Sequence, residues 1–203
     1  MITEKTTAPK LERRRVVDNL LMNRGTLLVV AGLGAPAWDV TAAGDHPLNF
    51  PLWGGMGGAT AMGLGLALAQ PERRVLVLTG DGELLMGFSS LATVGVQRPA
   101  NLSIVVLDNE HYGETGMQPS HTKFGVDLVA GAQACGFTKC LAVNTMEQVS
   151  ALRNDIHQAV GPVFAQIKIM ADKLPLVLPP RDGTQLKNRF REALLGKDAH
   201  FQR

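Results

Sequence analysis

The sequence predicts a doubly wound α/β domain, a mostly parallel sheet with helices on both faces. Short apolar runs recur along the chain, helical segments alternate with them, and helix-cap signals mark some of the joins. Leu11 to Met22 comes first, with Leu11, Val16, Val17, Leu20 and Leu21 at near-helical spacing around Glu12, Arg13 and Arg14. Thr26 to Ala31 (TLLVVA) is a short, partly β-branched run that ends at glycines and reads as a buried strand. Gly57 to Ala69 is apolar around its circumference, with Gly57, Ala61 and Gly65 leaving one face nearly bare for close backbone approach. The alternation then becomes regular. Strands are predicted at Arg74–Thr79, Leu102–Leu107, Lys139–Val143 and Val163–Ile169, and helices at Glu83–Val96, Asp127–Cys135 and Thr145–Ala159. Asn144-Thr145 with Glu147 and Gln148 marks the start of the last of these helices, and Gly161-Pro162 follows its end. Residues 172–183 hold three prolines and read as an extended surface segment, followed by a polar helix from Thr184 to Leu195. The domain organisation expected is an N-terminal helix and arm (1–25), one α/β domain (26–170) and a C-terminal tail and helix (171–203).

Composition narrows the function classes. Twenty Lys and Arg against 18 Asp and Glu leave a net charge of +2, which gives no reason to expect nucleic acid or an anionic membrane as the main partner. No stretch approaches the roughly 18–20 uncharged apolar residues that span a bilayer. No apolar run follows the basic residues of Met1–Arg15 as a secretory leader requires, so a cytoplasmic protein is expected. Cys135 and Cys140 supply neither a disulfide framework nor a four-thiolate cluster, and read as reduced thiols in a buried helix and strand. The 22 glycines in 203 residues exceed the usual share of about 7%. They imply many tight turns, or a backbone that comes close to something at several points.

Ligands of a parallel sheet bind beyond the carboxyl ends of its strands, and three such ends hold suggestive residues. Gly32-Leu33-Gly34-Ala35-Pro36-Ala37 resembles a dinucleotide fingerprint on paper. That motif needs a helix opening at its second glycine and a later strand ending in an acidic residue. Pro36 and the patternless stretch Asp45–Phe50 argue against both. Gly80-Asp81-Gly82 is more specific. Its glycines let the main chain turn sharply beside a ligand, and its carboxylate stands just before a helix whose N–H groups favour phosphate. A carboxylate and a phosphate repel unless a cation separates them, and hard oxygen ligands without a His or Cys grouping suggest Mg²⁺ or Ca²⁺. Asp108-Asn109 offers a second hard ligand from the neighbouring strand. The stretch from Glu83 to Asp108 is long enough for a helix, a return strand and two turns. Two unrelated turn motifs sharing a sheet edge are the bland alternative.

These residues resemble the diphosphate-binding domain of thiamine diphosphate enzymes, whose motif is Gly-Asp-Gly and then, after a spacer of this length, Asn. The resemblance runs from about Thr26 to Ile169. It is most similar to the β-type subunit of sulfopyruvate decarboxylase and the matching half of phosphonopyruvate decarboxylase. Asn49-Phe50 leading to Gly54-Gly55-Met56-Gly57, GDGELLMGFSSLATV, DNEHYGETGMQPSHT and VDLVAGAQACGF support it, in that order along the chain. The resemblance implies thiamine diphosphate and Mg²⁺ as cofactors, with Asp81, the Asn109 side chain and the His111 main-chain carbonyl as metal ligands. It implies that main-chain N–H groups near Gly82 and Glu83 hold the diphosphate, with Gly80, Tyr112 and Gly113 alongside. Met56 would be the apolar knob on which the cofactor folds, bringing its 4′-amino group beside the thiazolium C2, and the Gly54 carbonyl, next to Gly55, would accept from that amino group. Ordinary core filling is the other reading of Met56.

Three positions depart from the family. Asp108 stands where Asn is frequent, adding a negative charge near the metal. Glu83 replaces a small residue, so its carboxylate must point away from the diphosphate. Thr115, beside Glu114, stands where some relatives have a catalytic acid, and Glu114 is assigned no catalytic role. The activity implied is decarboxylation of a small 2-oxo acid to an aldehyde. A second anionic group on the substrate, sulfonate or phosphonate, would meet the Tyr112–His121 loop, His121 or Lys123, although His121 is equally readable as a solvated loop residue. The glutamate that protonates the cofactor's pyrimidine belongs to a separate domain, and too little chain lies outside 26–169 to build one. A partner subunit with a pyrimidine-binding domain is therefore expected, with the helix near 57–69 as its contact. An acetolactate synthase-like carboligase subunit and a non-catalytic cofactor-binding or regulatory subunit are the alternatives. A 2-oxoacid:ferredoxin oxidoreductase subunit would need four cysteines for its cluster.

Overall fold

Alternating faces of one sheet generate the architecture. In β1 (Leu28–Ala31), Val29 and Ala31 face one side while Leu28 and Val30 face the other, and all four are fully buried. The same two-sided burial holds in β3 (Val75–Gly80), β4 (Leu102–Asp108) and β8 (Val163–Lys168), which is why these strands read as continuous apolar runs. A computed structural model describes residues 10–201. The first nine residues of the predicted N-terminal arm and the last two of the tail lie outside the described residues. With β2 (Asn49–Pro51) and β7 (Lys139–Val143), the strands form one six-stranded parallel sheet in the order β2-β1-β3-β4-β8-β7.

Helices cover both faces. The helices α1 (Arg13–Leu21), α2 (Ala35–Ala42) and α7 (Met146–Gln158) share one core through Val16, Leu20, Val40, Val149 and Leu152. On the other face lie α3 (Ala59–Ala69), α4 (Asp81–Met86), α5 (Ser90–Gln97), α6 (Leu128–Ala134) and α8 (Gly183–Leu195). Leu64, Leu84, Leu91, Leu128 and Phe190 are their buried contacts with the sheet. Thr145 and Gln148 form the expected reciprocal cap of α7. Phe190 packs edge-on against Phe50, centroids 5.4 Å apart, and Arg189 pairs with Asp45 at 2.6 Å, which together seat α8 over β2.

Three expectations need correction. The glycine loop after β1 does open a helix: α2 starts at Ala35, with Pro36 in the first turn, where a missing N–H costs nothing. Residues 49–51, within and just beyond the stretch that lacks a strand pattern, form β2, a strand too short to alternate visibly. The single helix expected over 83–96 is two helices, broken at Gly87–Ser89. A Cβ on Gly87 would stand 2.0 Å from the Gly57 carbonyl oxygen, so the chain passes there only as glycine, against another backbone. A two-stranded hairpin, β5 (His111–Tyr112) with β6 (Gln118–Pro119), and a 3₁₀ turn over His121–Phe124 went unpredicted for want of periodicity. Cys135, ending α6, and Cys140, on β7, are unpaired and only half-buried.

His157 gives a pH test of this packing. Burial, then the nearby charges of Arg74 and Arg153, push its imidazole below the usual histidine range. The folded chain therefore favours neutral His157, a contribution present above the unfolded value near 6.5 and lost as pH falls through the lower folded value. His157→Gln is expected to reduce the fall in melting temperature between pH 7 and pH 5 relative to wild type; an identical pH slope would show that His157 is not a contributor.

Candidate functional site

β1 and β3 are neighbours, yet their connections leave on opposite sides: α2 leads to β2 at one edge, and α4 and α5 lead to β4. The crevice beyond their carboxyl ends is the topological switch point, where parallel sheets bind ligands. A cavity of about 450 Å³ occupies that place. It is lined by Met56, Gly80, Asp81, Gly82, Glu83 and Asn109, joined by His111, Tyr112 and Gly113 from the hairpin. Nearly all the residues proposed from sequence for the cofactor thus meet in one place. Gly54 and Gly55 do not line it. They sit on the exposed approach, with open space where a side chain would be.

The two motifs are brought together by strand register. Gly80 pairs with Leu107, so Asp81 and Asp108-Asn109 leave the sheet side by side. Asp81 is 2% exposed, and its Oδ2 accepts from the Ser120 hydroxyl and, at 3.3 Å, from Thr122; neither engages Oδ1. Burial, then the Asp108 carboxylate, raise Asp81 to about 6, against the lowering effect of Ser120, its own backbone and Thr122.

Asp108, by contrast, is fully committed to the protein. Its Oδ1 accepts from Thr122 at 2.8 Å and the Glu110 N–H at 2.9 Å, and its Oδ2 from Gln166 at 2.5 Å and Lys168 at 2.7 Å. Asp108 is paired with Lys168, which also binds Glu110 at 3.0 Å. Burial opposes charge on Lys168, but Asp108 and Glu110 outweigh it and hold the amine above its usual range. Burial likewise opposes charge on Glu110, yet Lys10 and Lys168 bring it down to about 2. Asn109 Oδ1 accepts from the His111 N–H at 2.9 Å, and the His111 ring Nδ1 stands 2.8 Å from the Asn109 carbonyl, so the turn that presents both residues is internally braced.

The local fit suits a diphosphate and a hard cation. A Cβ on Gly82 would lie 2.5 Å from the Tyr112 ring and 3.6 Å from the Met56 terminal methyl, so backbone alone fits between the two. Among the described residues no three His, Cys, Asp or Glu side chains group as a metal site. Asp81 with Asn109 supplies one carboxylate and one carboxamide, so an ion there must complete its shell with oxygens from main chain, solvent and ligand. The Glu83 carboxylate is engaged within the fold: Oε1 accepts from the N–H groups of Gly57 at 2.9 Å and Ala59 at 3.0 Å, and Oε2 from the Thr79 hydroxyl.

His121 and Lys123 lie outside the cavity lining. His121 Nδ1 stands 3.2 Å from the Tyr112 hydroxyl, and Lys123 reaches Glu110 at 3.7 Å. Glu114 lines the cavity mouth above Gly34. The wall that sequence reasoning missed is the proline-rich segment after β8. Asp172, Lys173, Leu174 and Leu176 close one side of the cavity. Arg13 Nη1 donates to the Asp172 carbonyl at 3.3 Å, Arg14 donates to the Pro175 carbonyl, and Trp53 Nε1 donates to Pro180 at 2.7 Å. Both arginines converge on Asp39, whose carboxylate is fully buried, at 2.8 and 3.2 Å. The Arg13-Arg14 pair and Asp39 were the available signal, but their meeting depends on how α1 crosses α2.

Residues 32–167 match the family described as thiamine pyrophosphate enzyme, C-terminal TPP binding domain. The chain is 36% identical over 186 residues to the sulfopyruvate decarboxylase subunit beta of Methanothermobacter thermautotrophicus, covering 92% of this chain and 97% of that one. It is 35% identical over 164 residues to the phosphonopyruvate decarboxylase of Streptomyces viridochromogenes, 80% of this chain and 41% of that one. Benzoylformate decarboxylase from Polynucleobacter necessarius has the same fold, with a TM-score of 0.69 at 23% identity over 87% of this chain and 36% of that chain.

Proposed function

We propose, from the premise that this chain belongs to the family of thiamine pyrophosphate enzyme C-terminal, TPP-binding domains, that it is the diphosphate-binding subunit of a two-subunit 2-oxo acid decarboxylase. The substrate class is that of sulfopyruvate or phosphonopyruvate. One observation carries the reading: in a chain similar over 92% of its length to a decarboxylase beta subunit, Asp81, Asn109 and Met56 line one cavity at the switch point. Asp81, the Asn109 side chain and the His111 carbonyl would hold Mg²⁺. Main-chain N–H groups at Gly82 and Glu83 would receive the diphosphate, with Gly80, Tyr112 and Gly113 around it. Met56 would orient the cofactor, and the open backbone at Gly54 and Gly55 would meet its amino group.

Bound thiamine diphosphate supplies the electron sink for loss of CO₂. The chain's own part is positioning and exclusion of water. Leu33, Pro36, Trp38, Leu174 and Leu176 make an apolar wall, in which charge–charge interactions are stronger than in water. A partner subunit with a pyrimidine-binding domain would contribute the essential glutamate. The exposed apolar side chains of Met62, Leu68, Met86, Phe124 and Val126 are the surface proposed to receive it. No helix among the described residues is long and apolar enough to cross a membrane, and a cytoplasmic setting is proposed.

Co-purification with the partner, followed by a 2-oxo acid screen read as CO₂ release, tests this. Release from an acid carrying a second anionic group is expected only with partner, Mg²⁺ and thiamine diphosphate all present. Turnover by the chain alone would overturn the two-subunit reading. Acetolactate from pyruvate would make the complex a carboligase, and cofactor binding without turnover would make the chain regulatory.

A further inference from the structure

Glu83 is 4% exposed and stands one residue past the Gly-Asp-Gly turn, where a diphosphate of several negative charges is proposed to sit. A buried carboxyl group there must have its oxygens hydrogen-bonded within the fold, and its partners show how. The helix α3 has no capping side chain of its own. Glu83 Oε1 reaches across from α4 and accepts from Gly57 and Ala59, taking up N–H groups at the positive end of that helix. Oε2 accepts from Thr79 at the end of β3. The Thr79 hydroxyl has room because the residue opposite is Gly32, where a Cβ would stand 2.8 Å from it. Backbone contact between Gly57 and Gly87 closes the other side. The loop that carries Met56 is therefore fastened to the helix that carries Asp81 and Gly82 through one carboxylate and one backbone contact.

We infer that Glu83 is a positioning residue. Its side chain fixes Met56 relative to the diphosphate and metal ligands, so that the two ends of the cofactor are held in one geometry. The first glycine of the Gly32-Leu33-Gly34 turn serves this clamp by leaving space for Thr79. The inference rests on the proposed function for the identity of the cofactor, while the clamp itself is a property of the chain. A carboxylate that only stabilised α4 would affect cofactor affinity and chemistry together. A clamp on the Met56 loop leaves Asp81, Asn109 and the diphosphate site in place and disturbs the reacting end.

Glu83→Ala, Glu83→Gln and Thr79→Val test it by two routes. In the full chain without cofactor, hydrogen exchange at the Gly57 and Ala59 amides is expected to rise at least tenfold in Glu83→Ala and less than threefold in Glu83→Gln, whose carbonyl oxygen still accepts from both. In complex with the partner subunit and Mg²⁺, Glu83→Ala is expected to weaken thiamine diphosphate binding less than about fivefold by calorimetry. Exchange of the bound cofactor's C2 proton, followed by NMR, is expected to slow about a hundredfold. Glu83→Gln should recover that exchange to within about tenfold of wild type, and Thr79→Val should slow it about fivefold. Unchanged amide protection in Glu83→Ala would overturn the clamp, as would affinity and C2 exchange falling in equal proportion. If Glu83→Ala does not fold, Thr79→Val decides, and a wild-type C2 exchange rate there overturns the inference. A wild-type complex that binds no thiamine diphosphate overturns the proposed function and, with it, the role given to Met56, whereas the amide exchange still judges the clamp.

Discussion

Asp81→Ala is expected to abolish Mg²⁺-dependent binding of thiamine diphosphate while leaving a folded chain. The loss should be a hundredfold or more, since even groups that only support a metal ligand are typically worth about 10–100-fold in affinity. Asp81 is the one carboxylate in the proposed ligand set, and Asp108 cannot substitute for it with both oxygens already engaged by Thr122, Gln166, Lys168 and the Glu110 N–H. The fold should survive because Asp81 is held under unfavourable conditions, buried beside another acid and raised to about 6. Titration calorimetry with and without Mg²⁺, on the complex with its partner, reads the effect. Unchanged affinity would remove Asp81 from the metal site, and a drop in melting temperature of the same chain without Mg²⁺ would show that its main role is structural.

Asp39→Ala is expected to cost about 3–5 kcal/mol of stability, the range for breaking one side of a buried ion pair and leaving a charge uncompensated. Arg13, itself 6% exposed, would lose its counter-ion, and Arg14 would lose the group that aims it. Both arginines also hold carbonyls of the proline-rich segment, so the damage should spread to the cavity wall. Denaturant unfolding reads the energy, and limited trypsin digestion at Lys173 and Arg181 reads the release of the segment. A loss below about 1 kcal/mol with unaltered digestion would show that the segment is held by Trp53 and the anchoring of α8 instead.

The fold was legible where burial imposes a period. Val29–Ala31, Leu76–Leu78 and Ile104–Leu107 are buried on both faces and read as strands from their composition. The helix break at Gly87 was not legible, because its cause is a backbone on another loop, at Gly57, well before it in the chain. At the site, Asp81 and Asn109 could be singled out because local turn chemistry and spacing mark them, and both line the cavity. That Asp108 is silenced by Lys168 was invisible, since β8 comes much later in the chain and joins β4 only through tertiary pairing. That the Glu83 carboxylate turns aside was an expectation of the resemblance, but its partners Gly57, Ala59 and Thr79 were not legible. The wall at 172–176 was missed because an extended, proline-rich segment carries no periodicity, and its place is fixed by distant side chains, the arginines on α1 and Trp53.

That wall has a consequence for biosynthesis. Asp81 and Gly82 leave the ribosome early, whereas Leu174 and Leu176 emerge about 90 residues later, an interval of roughly 5–18 s at about 5–20 residues per second. Throughout it the crevice lacks that wall. Cofactor capture is therefore expected only of the completed polypeptide, and ribosome-stalled chains ending before Asp172 should emerge cofactor-free.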